Sequence, residues 1–152
     1  MSMIERVYAK ARADVKRIVL PEGDEERTLL AAARLKAEGL AEPILLGNEA
    51  AIRACAARAG ADLSGLTLLD PETSEKTESY ADALYELRKA KGLSREAAAG
   101  LARDVMYYGI LMVKLGHADG LVSGAVHTTG DMLRPALQII KTRPGKIGRA
   151  HV

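Results

Sequence analysis

The chain has 152 residues, room for one domain of ordinary size with a buried core. Its 22 basic and 20 acidic side chains leave a net charge of +2, and the 3% aromatic content includes neither Phe nor Trp. Without a basic stripe or a stacking platform, nucleic-acid binding is not expected. A membrane span is not expected either, because no apolar run approaches the roughly 18 residues it needs. Cys55 is the only cysteine, so no internal disulfide or multi-cysteine metal site can form. The N-terminal stretch Met1-Ser-Met-Ile-Glu-Arg is charged and amphipathic rather than a signal peptide, and a cytoplasmic location is the expectation.

Apolar spacing at Ile4, Val7, Tyr8 and Ala11 predicts a first helix over residues 3–14. Residues 17–20 form a short apolar strand stopped by Pro21. The segment Glu22-Gly-Asp24 makes a turn, and Asp24 is the expected N-cap of a helix ending at Gly39. A second strand at 44–46 and the turn Gly47-Asn48 lead to a helix at 49–59, closed by Gly60. A third strand follows at 66–69. Helices are then expected over 74–89, after Ser94, and over 105–115 before Gly116. The fourth strand, 118–122, precedes a helix over 130–141 that Thr128 or Thr129 would cap. Strands alternating with helices argue for a parallel sheet covered on both faces, an α/β fold in three α/β/α layers.

The chemistry gathers after the fourth strand, in Ala118-Asp-Gly-Leu-Val-Ser-Gly-Ala-Val-His-Thr-Thr-Gly-Asp. A glycine- and hydroxyl-rich turn between a strand and a helix presents free N–H groups and the positive end of the helix dipole, which suits a phosphate. Gly124 allows close backbone approach, while Ser123, Thr128 and Thr129 carry hydroxyls and His127 a ring donor. Arg134, one turn into the helix, could bind phosphate oxygens with its fork. The glycine spacing fits neither the dinucleotide fingerprint nor the P-loop. The acids of Pro21-Glu-Gly-Asp-Glu-Glu26 lie where the helix dipole favours carboxylates, and no metal site is assigned to them. Cys55 is read as a small buried side chain.

Four co-linear segments resemble the phosphate acetyltransferase (phosphotransacetylase) family. They are Arg17-Ile-Val-Leu-Pro-Glu-Gly, Leu45-Leu-Gly-Asn, Tyr85-Glu-Leu-Arg-Lys-Ala-Lys-Gly, and the stretch from Asp119 through Leu133-Arg-Pro-Ala-Leu-Gln to Gly145. The resemblance covers residues 1–145 and only the first half of the family's length. It implies the first domain of the phosphotransacetylase and isocitrate-dehydrogenase-like fold, truncated. The implied reaction is reversible acetyl transfer between coenzyme A and inorganic phosphate, with coenzyme A as substrate, no separate cofactor, and a homodimer when full length. The resemblance also carries substrate binding onto Arg134 and Arg88, the latter otherwise an ordinary helix charge. It puts the catalytic aspartate, with its neighbouring serine and arginine, in the C-terminal part of the family. The chain is therefore expected to hold half a site, with no catalytic base assigned, and to be inactive alone.

The last residues, Ile147-Gly-Arg-Ala-His-Val152, leave the family pattern and match what the start of a short-read sequencing adapter encodes. Residues 146–152 are therefore read as an adapter-derived tail. Without Lys146 and Arg149 the charges balance at 20 against 20. Three other readings stay open: a phosphate butyryltransferase, the regulatory phosphotransacetylase-like domain appended to some malic enzymes, and a non-catalytic anion- or coenzyme A-binding module. The start methionine close before the first strand argues against a preceding malic domain.

Overall fold

In a computed structural model, which describes residues 1–145, β1 (Lys16–Leu20), β2 (Ala41–Leu46), β3 (Thr67–Leu69) and β4 (Gly120–Leu121) form one sheet in the order β3-β2-β1-β4. Every neighbouring pair is parallel, with Val19 opposite both Ile44 and Leu121. The tail assigned to 146–152 lies outside the described residues.

Alternation along the strands divides the core in two. On one face, Leu20 and Leu45 pack with Leu29 and Ala32 of α2 (Glu26–Ala37) and Ile52, Cys55 and Ala56 of α3 (Glu49–Ala59). On the other, Val19, Ile44 and Leu46 meet Tyr80 and Leu84 of α4 (Thr77–Arg88), Ala98 and Ala102 of α5 (Arg95–Ala102), and the apolar run of α6 (Val105–Lys114). Ile139 of α7 (Thr129–Ile139) completes that second cluster. Fully burying a side chain such as Leu29, Leu45 or Leu111 contributes about 1.5–3 kcal/mol. Helix α6 approaches the sheet closely because Gly109 has no side chain: a Cβ there would meet Leu121 Cδ1 at 2.7 Å and Val19 Cγ1 at 3.0 Å. Helix α1 (Met3–Ala13) is begun by a Ser2–Glu5 capping box and buries none of its residues.

Several boundaries differ from the sequence reading. Glu25, not Asp24, caps α2, accepting from the Thr28 N–H. Strand β2 begins at Ala41 rather than 44; β3 starts only opposite Ile44, so at Pro43 one side of the strand has no ladder to break. Helix α4 begins at Thr77 because Asp70 gathers residues 72–74 into a turn, its carboxylate and carbonyl accepting from Glu72, Thr73 and Ser74. The chain after Arg88 tightens into a 3₁₀ turn, Lys89–Lys91, ended by Gly92 at φ 87°. Strand β4 is only two residues long.

That short strand is held at its start by Arg17. The Arg17 backbone N–H donates to Asp119 Oδ2 at 2.8 Å, and the guanidinium donates to both Asp119 oxygens at 3.2 and 3.1 Å. After β3 the chain crosses to the far side of β1 to make β4, so the strand order reverses between β1 and β4. In open α/β sheets, ligands bind at the carboxyl ends of the strands at such a reversal.

Candidate functional site at the carboxyl ends of β1 and β4

The loops that leave β1 and β4 meet at this reversal, and a buried carboxylate joins them. Glu22, only 4% exposed, follows β1. Its Oε1 accepts from Ser123 Oγ at 2.5 Å, from Gly124 N–H at 2.7 Å and from Ala125 N–H at 3.2 Å. Its Oε2 accepts from the N–H groups of Val126 and of His127, the latter at 3.2 Å. Burial pushes the Glu22 carboxyl up, but the donors of Ser123, Gly124, Val126 and His127 outweigh it and hold the pKa at about 2. Arg27 fastens the same loop with opposite polarity, its Nη2 donating to the Ala125 carbonyl at 3.0 Å.

The N–H-rich turn expected to face a ligand thus has an anion from its own chain. Gly124 adopts φ 131°, a conformation that keeps the turn to glycine. Thr128 is engaged in a capping box with Asp131: its hydroxyl donates to Oδ2 at 2.7 Å and accepts from the Asp131 N–H at 3.2 Å. Thr129 is the exposed first residue of α7. His127 has a buried Nδ1 with no hydrogen-bond partner, 3.8 Å from Glu22 Oε2. It faces a cleft of about 260 Å³ between Pro21, Asp24, Asn48 and Val105. On the other side of Glu22 lies an apolar groove of about 330 Å³, formed by Ile18, Leu20, Ala31, Leu35 and Val122.

The two arginines are brought to a different place. Arg88, half-buried on α4, lines a hollow of about 220 Å³ with Leu84, Leu93, Tyr107 and Gln138. The Tyr107 hydroxyl donates to Gln138 Oε1 at 2.9 Å. Burial raises the pKa of Tyr107, and the positive charges of Arg134 and Arg88 work against that rise. Arg88 of α4, Tyr107 of α6 and Gln138 of α7 thus meet at one hollow, and the charge of Arg134, also on α7, reaches Tyr107, although 46 positions separate the two arginines in the chain. Neither guanidinium forms an ion pair or hydrogen bond with another described residue, although the charge of Arg134 also acts on Asp131. Two uncommitted guanidiniums beside a half-buried phenol can receive an anionic group.

Sequence reasoning missed two participants. Glu22 was grouped with the acids of its turn, and nothing in the local sequence ties it to a loop 101 positions away. Tyr107 carried only a helical core signal. Among the described residues no cluster of three or more His, Cys, Asp or Glu side chains is placed to hold a metal ion. No described helix is long and apolar enough to cross a membrane.

The chain is 51% identical over 145 residues to the phosphate acetyltransferase of Clostridium acetobutylicum, covering 95% of this chain and 44% of that protein. It is 52% identical over 145 residues to the enzyme of the same name from Thermoanaerobacterium thermosaccharolyticum, with the same coverage. The solved structure of the EutD phosphotransacetylase from Staphylococcus aureus superposes with a TM-score of 0.87 at 42% identity, over 96% of this chain and 44% of that one. The chain thus spans less than half the length of the relatives it matches. The phosphate acetyl/butaryl transferase family model matches residues 2–152, and the chain belongs to that family.

Proposed function

We propose that this chain is the N-terminal, substrate-binding portion of a phosphate acetyltransferase, which moves an acetyl group between coenzyme A and inorganic phosphate. One observation carries the reading: Arg88, Tyr107 and Gln138 line one hollow between α4, α6 and α7, and Arg134, the other position onto which the family resemblance places substrate binding, lies on the same α7. Both substrates are anionic, and unpaired guanidiniums suit phosphoryl oxygens. The acetyl reading is favoured over butyryl because the relatives at 51% and 52% identity are both named phosphate acetyltransferase.

The chemistry needs more than charge. Attack of a thiol of pKa about 8.5 on an acyl carbonyl requires a base near neutral pH, and the tetrahedral oxyanion needs fixed donors. The arginines supply binding and charge stabilisation. The family resemblance assigns the base to the part of the family's polypeptide that this chain does not match. A homodimer is part of the same proposal for the full-length protein.

Two measurements test it. Coenzyme A and inorganic phosphate titrated separately into the 152-residue chain are expected to perturb Arg88, Tyr107 and Arg134, and Arg134→Ala is expected to weaken that binding by about tenfold or more. Acetyl phosphate formation from acetyl-coenzyme A and phosphate is expected to stay at the blank. Turnover above the blank would overturn the half-site reading, and binding unaffected by Arg134→Ala would remove the arginine from it.

A further inference from the structure

The geometry points to Glu22 as a positioning residue: its carboxylate is the resident anion of the 123–127 turn, and it closes the N–H groups of that turn to an external phosphate. Four successive N–H groups and a hydroxyl converge on one side chain. Successive backbone N–H groups directed to one point form an anion-binding concavity. Here the concavity is filled, and the filling group is buried.

The contact is built from both sides. Glu22 cannot swing away freely, because the next residue is locked: Gly23 N–H donates to the Leu46 carbonyl at 3.0 Å, and a Cβ on Gly23 would lie 2.5 Å from that same oxygen. Arg27, in the first turn of α2, holds the Ala125 carbonyl while Glu22 holds the N–H groups. Two contacts of opposite polarity therefore dock the β4–α7 loop onto the β1–α2 loop at the point where the strand order reverses. An incoming phosphate would have to expel a carboxylate that already has five donors and would lose them on leaving.

What the contact does follows from what comes next in the chain. The clamped turn leads directly to His127, to the capping box at Thr128 and so to the first turn of α7, which carries Arg134. Glu22 thereby sets the start and direction of the helix that delivers the arginine. The phosphoryl charge of a substrate falls to guanidinium side chains rather than to the backbone of this turn. Naming this loop part of a substrate site rests on the proposed acyltransferase reading; the contact itself does not.

Hydrogen exchange resolved by residue in the 152-residue chain tests the assignment. In the unaltered chain, the amides of Gly124, Ala125, Val126 and His127 are expected to be protected and to be unmoved by inorganic phosphate. Glu22→Gln is expected to lower protection at those four by about tenfold or more, leaving Val19 and Leu45 in the core unchanged. In Glu22→Ala, formate is expected to restore the protection, because the vacated concavity fits a carboxylate; a merely space-filling role for Glu22 predicts no such rescue. Wild-type protection in Glu22→Gln, no recovery with formate, or phosphate-dependent shifts at those amides in the unaltered chain would each overturn the proposal. The phosphate arm needs no variant and decides even if a substitution prevents folding. Coenzyme A binding, read separately, bears on the acyltransferase proposal alone.

Discussion

Glu22 couples protonation to structure at the residue scale. Its folded pKa, about 2, lies below its ordinary value of 4.5, so the charged form is the one the fold favours. A depressed carboxyl adds stability that is fully present above the unfolded value and is lost as pH falls through the folded one. Stability should therefore fall from about pH 4.5 toward about pH 2 as this group takes up its proton. Asp119, held at about 2 by hydrogen bonds from Arg17, titrates over a similar window. Comparison with Glu22→Gln isolates the first group: its urea midpoint, followed against pH, is expected to fall less steeply over that window than the parent's. Parallel profiles would mean that Glu22 does not prefer its charge in the folded state.

At the element scale, α7 depends on its first turn. The Thr128–Asp131 capping box satisfies N–H groups that the helix leaves without partners, and Asp131 sits at the positive end of the dipole. Only Pro135 and Ile139 of this helix are buried, so packing supplies limited support. Thr128→Ala is expected to cost about 1 kcal/mol of stability by urea unfolding and to increase fraying at residues 129–132 by hydrogen exchange. No change in either quantity would show that the box is dispensable and that the Glu22 clamp alone starts the helix. Strand β4 makes a similar case: two residues cannot hold an edge by ladder bonds, and Arg17 with Asp119 supplies what the ladder lacks.

At the scale of the whole molecule, the described sheet ends at β3 and β4, and apolar side chains gather near the second of these. Val122 is 62% and Val126 68% exposed in the loop beyond β4, and Leu137 on α7 is 55% exposed. An uncovered edge strand beside apolar side chains invites pairing with another chain. The 152-residue chain is therefore expected to self-associate as its concentration rises, measurable by light scattering. A monodisperse monomer across the range would show that the edge is adequately shielded by its own loops.

The order of strands and helices was legible in the sequence because it rests on local physics. Apolar periodicity, the capping residues Ser94 and Thr128, and the left-handed glycines 39, 60 and 116 each act within a few positions. The start of β2 was not legible in this way, since whether the proline at 43 breaks a ladder depends on where the neighbouring strand begins. Family membership was legible for a related reason: the motifs are short, co-linear stretches. What only the tertiary structure decided was which of these stretches meet. The turn at 123–127 advertises anion binding in any context, but that its anion is Glu22 depends on β4 crossing to lie beside β1. That Arg88, Tyr107 and Gln138 line one hollow depends likewise on how α4, α6 and α7 pack. Such pairings join residues far apart in the chain, and they are fixed by the packing of the whole core rather than by any local preference.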